Sequence, residues 1–137
     1  MDEKKLIKKY LKMPYEELES LVKIKFDIVN KFLLSHNITN SYHIICGVIL
    51  TCIATDAFYS ANEWELITKL LGKHYYAEGI KGYMLFINEK YRIKCEEIID
   101  FLPKHIKEEL IEMCIIVLCI DGRINENELS FLNKLLD

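Results

Sequence analysis

Proline and glycine are scarce in this chain, two and five residues of 137, which excludes a low-complexity or Pro/Gly-rich linker architecture. Basic charge is not in excess either. The 18 Lys and Arg against 21 Asp and Glu leave a net charge of −3 and a pI near 5.8, whereas a nucleic-acid binder normally shows a basic face and an alkaline pI. No nucleic-acid partner is expected. The longest apolar run, Ile44 to Ala54, has 11 residues including Gly47 and Thr51, far short of the ~20 that span a bilayer. The first ten residues, MDEKKLIKKY, carry charge with no apolar stretch behind them, so a secretory signal is not expected. Missing too are a Gly-rich phosphate loop, a nucleophile elbow, and any Ser or Cys beside an obvious base. That absence predicts a protein that is not an enzyme.

Cysteine is present in an odd number, five, and without C-x-x-C spacing. Cys46, Cys52, Cys114 and Cys119 lie inside apolar runs, which predicts reduced, buried thiols in a cytoplasmic protein. His36, His43, His74 and His105 are not paired at helical spacing, so zinc is a weak candidate. With 51% hydrophobic and 28% charged residues the chain can form an ordinary folded core. At this length a single domain, 1–137, is expected.

The patterning is helical. Residues 2–12 place Leu6, Ile7, Tyr10 and Leu11 on one stripe with Lys4, Lys5, Lys8, Lys9 and Lys12 around it, so residues 1–14 contain a basic amphipathic helix. Such a helix either touches a membrane surface or a partner, or simply solvates its basic face. Pro14 suits the first turn of a second helix, in which Leu18, Leu21, Val22, Ile28, Val29, Phe32 and Leu33 recur at helical steps to about Ser35. Asn37 suits the end of that helix and Asn40 the cap of the next. Helices over about 41–56 and 104–121 are apolar nearly all round, which predicts burial at the centre of the bundle. A helix over about 89–102 would turn Tyr91, Cys95, Ile98, Ile99 and Leu102 inward and stop at Pro103. Residues 74–87, with Gly79 and Gly82, read as a short irregular helix. The acidic run Glu108, Glu109, Glu112 reads most simply as a solvated face.

One stretch occurs twice. ILTCIATDAFYSANEWELITKLLG (49–72) superposes on CIIVLCIDGRINENELSFLNKLLD (114–137) with an offset of 65 residues. Asp56 meets Asp121, Asn62 meets Asn127, Glu63 meets Glu128, and both copies end in Lys-Leu-Leu. The isolated run CIIVLCI could be a strand, but its counterpart ILTCIAT continues a helical pattern, so the repeat decides for helix. Ser60 to Glu63 and Asn125 to Glu128 have capping-box spacing, which by itself accounts for both glutamates. Asp56 and Asp121 are less easily explained, because each closes an apolar helix where the dipole disfavours an anion by about 0.3–1 kcal/mol. Donors of the turn or a bound cation would offset that cost. Two converging carboxylates, repelling by about 4 kcal/mol at ~4 Å and an effective dielectric near 20, would favour a hard divalent ion, calcium or magnesium. DGRINENE also imitates half an EF-hand loop, but the earlier ligand positions fall at Val117 and Cys119, which supply no hard oxygen. Trp64, Phe58 and Tyr59 beside the first turn belong either to the core or to an exposed partner patch.

Two Asp-(Gly)-x-x-(Ser/Asn)-x-x-Glu motifs, each between an apolar and an amphipathic helix and about 65 residues apart, resemble the tellurite-resistance TerB-like family over roughly residues 17–137. IDGRINENEL carries the resemblance most directly. The resemblance implies an all-α domain of a bacterial cytoplasmic stress-response or envelope-linked system, with Asp56, Glu63, Asp121 and Glu128 holding a metal ion. Ala57 departs from the pattern where Gly stands in the family, so the two turns differ in shape. The expectation is therefore a compact bundle of seven or eight helices. It would act as a module that binds a divalent cation at two acidic turns and docks a protein partner. The alternative is a metal-free interaction or scaffold domain whose acids only cap and fasten turns.

Overall fold

In a computed structural model of the chain, residues 3–41, 44, 45, 48, 49 and 89–120 are described. The regular elements among them are all α-helices: α1 (Glu3–Leu11), α2 (Tyr15–Ser35), α3 (Glu89–Phe101) and α4 (Lys104–Cys119). Ser41, Ile44, Ile45, Val48 and Ile49 are helical as well. The described part of the fold is thus all-α, and among the described residues no helix is long and apolar enough to cross a membrane. The expected continuation of the 41–56 helix beyond Ile49 and the irregular helix over 74–87 lie outside the described residues. So do residues 50–72 of the first repeat copy, residues 121–137 of the second, and the side chains of Tyr91 and Cys95.

Both prolines stand at the start of a helix. Pro14 and Pro103 occupy N-cap positions with extended backbones, φ −69°, ψ 156° and φ −59°, ψ 154°. Their carbonyls accept the first helical bonds, from Glu17 and Leu18 at 3.1 and 3.2 Å, and from Ile106 and Lys107 at 3.0 and 2.9 Å. Pro14 is thus one position earlier than the first turn. Neither position needs the N–H that proline lacks.

α2 ends on a left-handed residue, as its sequence suggests. Asn37 has φ 62°, its N–H donates to the Leu34 carbonyl at 3.0 Å, and the Ile38 N–H donates to the Leu33 carbonyl at 3.0 Å. This is the Schellman pattern, completed by Ile38 packing on the core that contains Leu33. The reversed chain enters the next helix at Ser41, which is buried and donates from Oγ to Asn30 Oδ1 at 2.7 Å. The Asn40 carbonyl accepts from the Ile44 N–H at 3.2 Å, so Asn40 stands where a cap was expected.

α4 is the central rod. Ile106, Leu110, Met113, Cys114, Val117 and Leu118 are buried as the stripe requires, and from Met113 to Ile120 every residue is buried. α4 packs against α2 and α1. Burying each large aliphatic side chain contributes about 1.5–3 kcal/mol, so this one helix contributes a large share of the apolar stabilisation. Cys114 and Cys119 are buried free thiols.

On α2 the buried line is Leu18, Val22, Phe26, Val29 and Leu33. Ile28, expected in the stripe, is instead 37% exposed. α4 covers a narrower strip than the full apolar arc of α2, so the flank remains outside. α1 turns Tyr10 into the core with Leu6 and Ile7 packed at its edge, while Leu11 faces out at 40% exposure.

Candidate functional site

The four carboxylates on which the sequence concentrates, Asp56, Glu63, Asp121 and Glu128, lie outside the described residues, as do Phe58, Tyr59 and Trp64. The approaches to them are described. α4 keeps helical backbone to Ile120 (φ −63°, ψ −32°), whose N–H donates to the Val117 carbonyl at 3.3 Å. The residue before Asp121 is therefore buried at the end of a stretch, Met113 to Ile120, in which every residue is buried. In the first copy, Ile45, Val48 and Ile49 are buried, and the repeat offset sets them against Leu110, Met113 and Cys114, which are buried too. These three pairs of equivalent positions are buried in both copies, whereas buried Ile44 is set against the half-buried Glu109. Among the described residues no three His, Cys, Asp or Glu side chains are grouped so as to hold a metal ion.

What the described residues do assemble is a cluster that sequence reading missed. Lys25 on α2 reaches α4, its Nζ lying 2.9 Å from Glu109 Oε2 and 2.5 Å from Glu112 Oε2. From α1, the Tyr10 hydroxyl donates to the same Glu112 oxygen across 3.4 Å. Each member except Tyr10 stands one residue before a core position: Lys25 before Phe26, Glu109 before Leu110, Glu112 before Met113. One step on a helix is about 100°, which carries a side chain from the buried line to its margin, where a charge can reach across to the neighbouring helix. Lys25 is 12% exposed, and the glutamates are 31% and 25% exposed.

The expectation of a solvated acidic face therefore fails for Glu109 and Glu112. Two helix margins meet there, and Lys25 needs counter-charge. Burial pulls the Lys25 pKa down, and this is the largest single influence, but the hydrogen bonds and charges of Glu112 and Glu109 outweigh it and leave it above its ordinary 10.5. Burial raises the Tyr10 pKa above 10.0, with the Glu112 charge adding to it and Lys25 opposing. Such a cluster joins three helices and holds its protons firmly. With Lys25 held between two glutamates and Tyr10 bonded to one of them, the cluster reads as a fastener.

A second margin contact involves His36. Its Nδ1 lies 3.0 Å from the Phe32 carbonyl and 3.1 Å from Ser35 Oγ. The ring packs on Phe32 at 4.3 Å and edge-on to Phe101 of α3 at 5.8 Å. This exposed histidine touches the end of α3 from the end of α2.

No family model, curated protein or solved structure matches the chain.

Proposed function

We propose that the chain is a non-enzymatic, TerB-like module of seven or eight helices in the cytoplasm. It would bind a divalent cation, calcium or magnesium, at Asp56 and Glu63 and at Asp121 and Glu128, and dock a protein partner within a stress-response system. The observation that carries the reading is the repeat itself: two copies of the same acid-bearing turn, each after an apolar helix. It draws support from the end of α4, buried at every residue from Met113 to Ile120, the residue before Asp121, and from the matched burial of Ile45, Val48 and Ile49 with Leu110, Met113 and Cys114. An anion placed directly after the C-terminal end of such a rod calls for compensation, and a hard cation supplies it.

A metal-free interaction domain is the second reading, favoured by the capping-box spacing that explains Glu63 and Glu128 without any ion. Thermal melts of the whole chain with and without calcium, magnesium or manganese separate the two. At 100 times the dissociation constant an ion adds about 2.7 kcal/mol of stability, and Asp121→Asn should abolish that increment. Melts that no ion moves, or an Asp121→Asn loss of equal size in the presence and absence of ion, would leave the scaffold reading in possession.

A further inference from the structure

The acidic turns leave the basic N-terminal helix without a role. On α1 the core side is taken up by Leu6, Ile7 and Tyr10. On the opposite side, at steps of three and four residues, stand Lys4, Lys8, Leu11 and Lys12, all exposed. Lys4, Lys8 and Lys12 form no ion pair among the described residues. Leu11, 40% exposed, is the large apolar side chain set among them. Immediately beyond this stripe the chain turns through Met13 into α2, and there an open groove of about 410 Å³ is lined by Met13, Glu16, Glu17, Ser20 and Leu21. The groove has the opposite character, its mostly apolar lining including Met13 and Leu21 together with the acidic residues Glu16 and Glu17. Those two carboxylates form no ion pair among the described residues either.

A lysine-flanked leucine and an apolar groove with two glutamates in its lining thus adjoin along the chain, Leu11 standing two residues before Met13, the nearest lining residue. Adjacent complementary patches satisfy themselves across a two-fold axis, where each copy offers both plug and socket. We propose that this corner is the interface between two copies of the chain, with Leu11 of one copy seated in the Met13–Leu21 groove of the other and Lys8 and Lys12 facing Glu16 and Glu17. An anionic membrane is the other class of surface a basic helix could meet. It is disfavoured because the apolar side of α1 is already spent on the core, so little remains to insert beside the lysines. The inference is independent of the cation reading.

Sedimentation of the full chain over a concentration series tests it, with each variant's thermal melt and helical circular dichroism recorded to show that it folds. A reversible monomer–dimer equilibrium is expected, weakening at about 1 M salt, where the Debye length is roughly 3 Å. Glu16→Lys/Glu17→Lys should raise the dimer dissociation constant by roughly tenfold or more, and so should Lys8→Glu/Lys12→Glu. Mixed together, the two variants should form a heterodimer, because each then offers the charge the other lacks at both contacts. Leu11→Ser serves as a charge-neutral probe and should also favour monomer. A wild-type chain that stays monomeric at every concentration overturns the proposal, as does a dimer indifferent to all three variants. Co-flotation of a monomeric wild type with phosphatidylserine vesicles, lost in Lys8→Glu/Lys12→Glu, would assign the stripe to membrane instead.

Discussion

Asn37 shows how much one side chain can decide. It stands in the left-handed region at φ 62°, where a β-carbon costs roughly 1–2 kcal/mol and asparagine and glycine are the residues that tolerate it. Asn37→Ala should therefore lower stability by about 1 kcal/mol, a fall in Tm of roughly 3–5 °C for a chain of this size. Asn37→Gly should leave the melt unchanged or slightly higher. An alanine variant that melts with the wild type would mean the turn does not need its handedness. This residue was legible in the sequence because its signal is local: a polar Asn directly after a helical stripe, donating to the Leu34 carbonyl three residues back. Lys25, Glu109 and Glu112 are the opposite case. Lys25 and Glu109 are separated by 84 residues, and nothing in either segment marks one as the other's partner. Only the margin position of each, one residue before a core side chain, hints that these charges are not simply solvated.

Among the elements, α4 was read correctly as a buried helix, and the reason is redundancy. A run such as CIIVLCI is ambiguous alone, but apolar residues on nearly every face leave burial as the one consistent outcome whatever packs around it. α2 was read less well because its apolar arc is wider than the strip α4 covers. Periodicity shows where the arc lies and not which edge a neighbour reaches, so Ile28 was placed inside and Phe26 overlooked. α1 repeats the lesson with Leu11. The difference is measurable. Ile116 is fully buried while Ile24 is 56% exposed, so Ile116→Ala should cost about 2–5 kcal/mol and Ile24→Ala within about 0.5 kcal/mol. Urea melts of both variants check this, and equal losses would contradict the placement of α4 at the centre. The acidic turns themselves lie beyond this comparison, since Asp56, Glu63, Asp121 and Glu128 are outside the described residues.

At the scale of the whole molecule, the cluster of Lys25, Glu109, Glu112 and Tyr10 is a fastener between α1, α2 and α4, and it makes stability depend on pH at the alkaline end. Lys25 holds its proton above its ordinary 10.5 and Tyr10 above its ordinary 10.0. In both cases the folded chain retains a proton that the unfolded chain has released, so their contribution is complete below pH 10 and declines as pH climbs through the raised folded values. Neither group contributes slope in the neutral or acid range. Removing the cation has a second effect. The two glutamate oxygens that share Lys25 can be no more than about 5.4 Å apart, and at an effective dielectric of 20 two bare carboxylates at that distance repel by roughly 3 kcal/mol. Because both remain partly exposed and can turn toward water, the realised cost is smaller. Lys25→Met should lose about 1–2 kcal/mol at neutral pH, and adding Glu112→Gln should recover part of it by removing one of the stranded charges. The same Lys25→Met chain should lose less stability than the wild type between pH 8 and about pH 11, because the proton that linked Lys25 to folding is gone. Denaturant melts at the two pH values decide the matter. Parallel losses in wild type and variant would mean that this ammonium does not tie the three helices together.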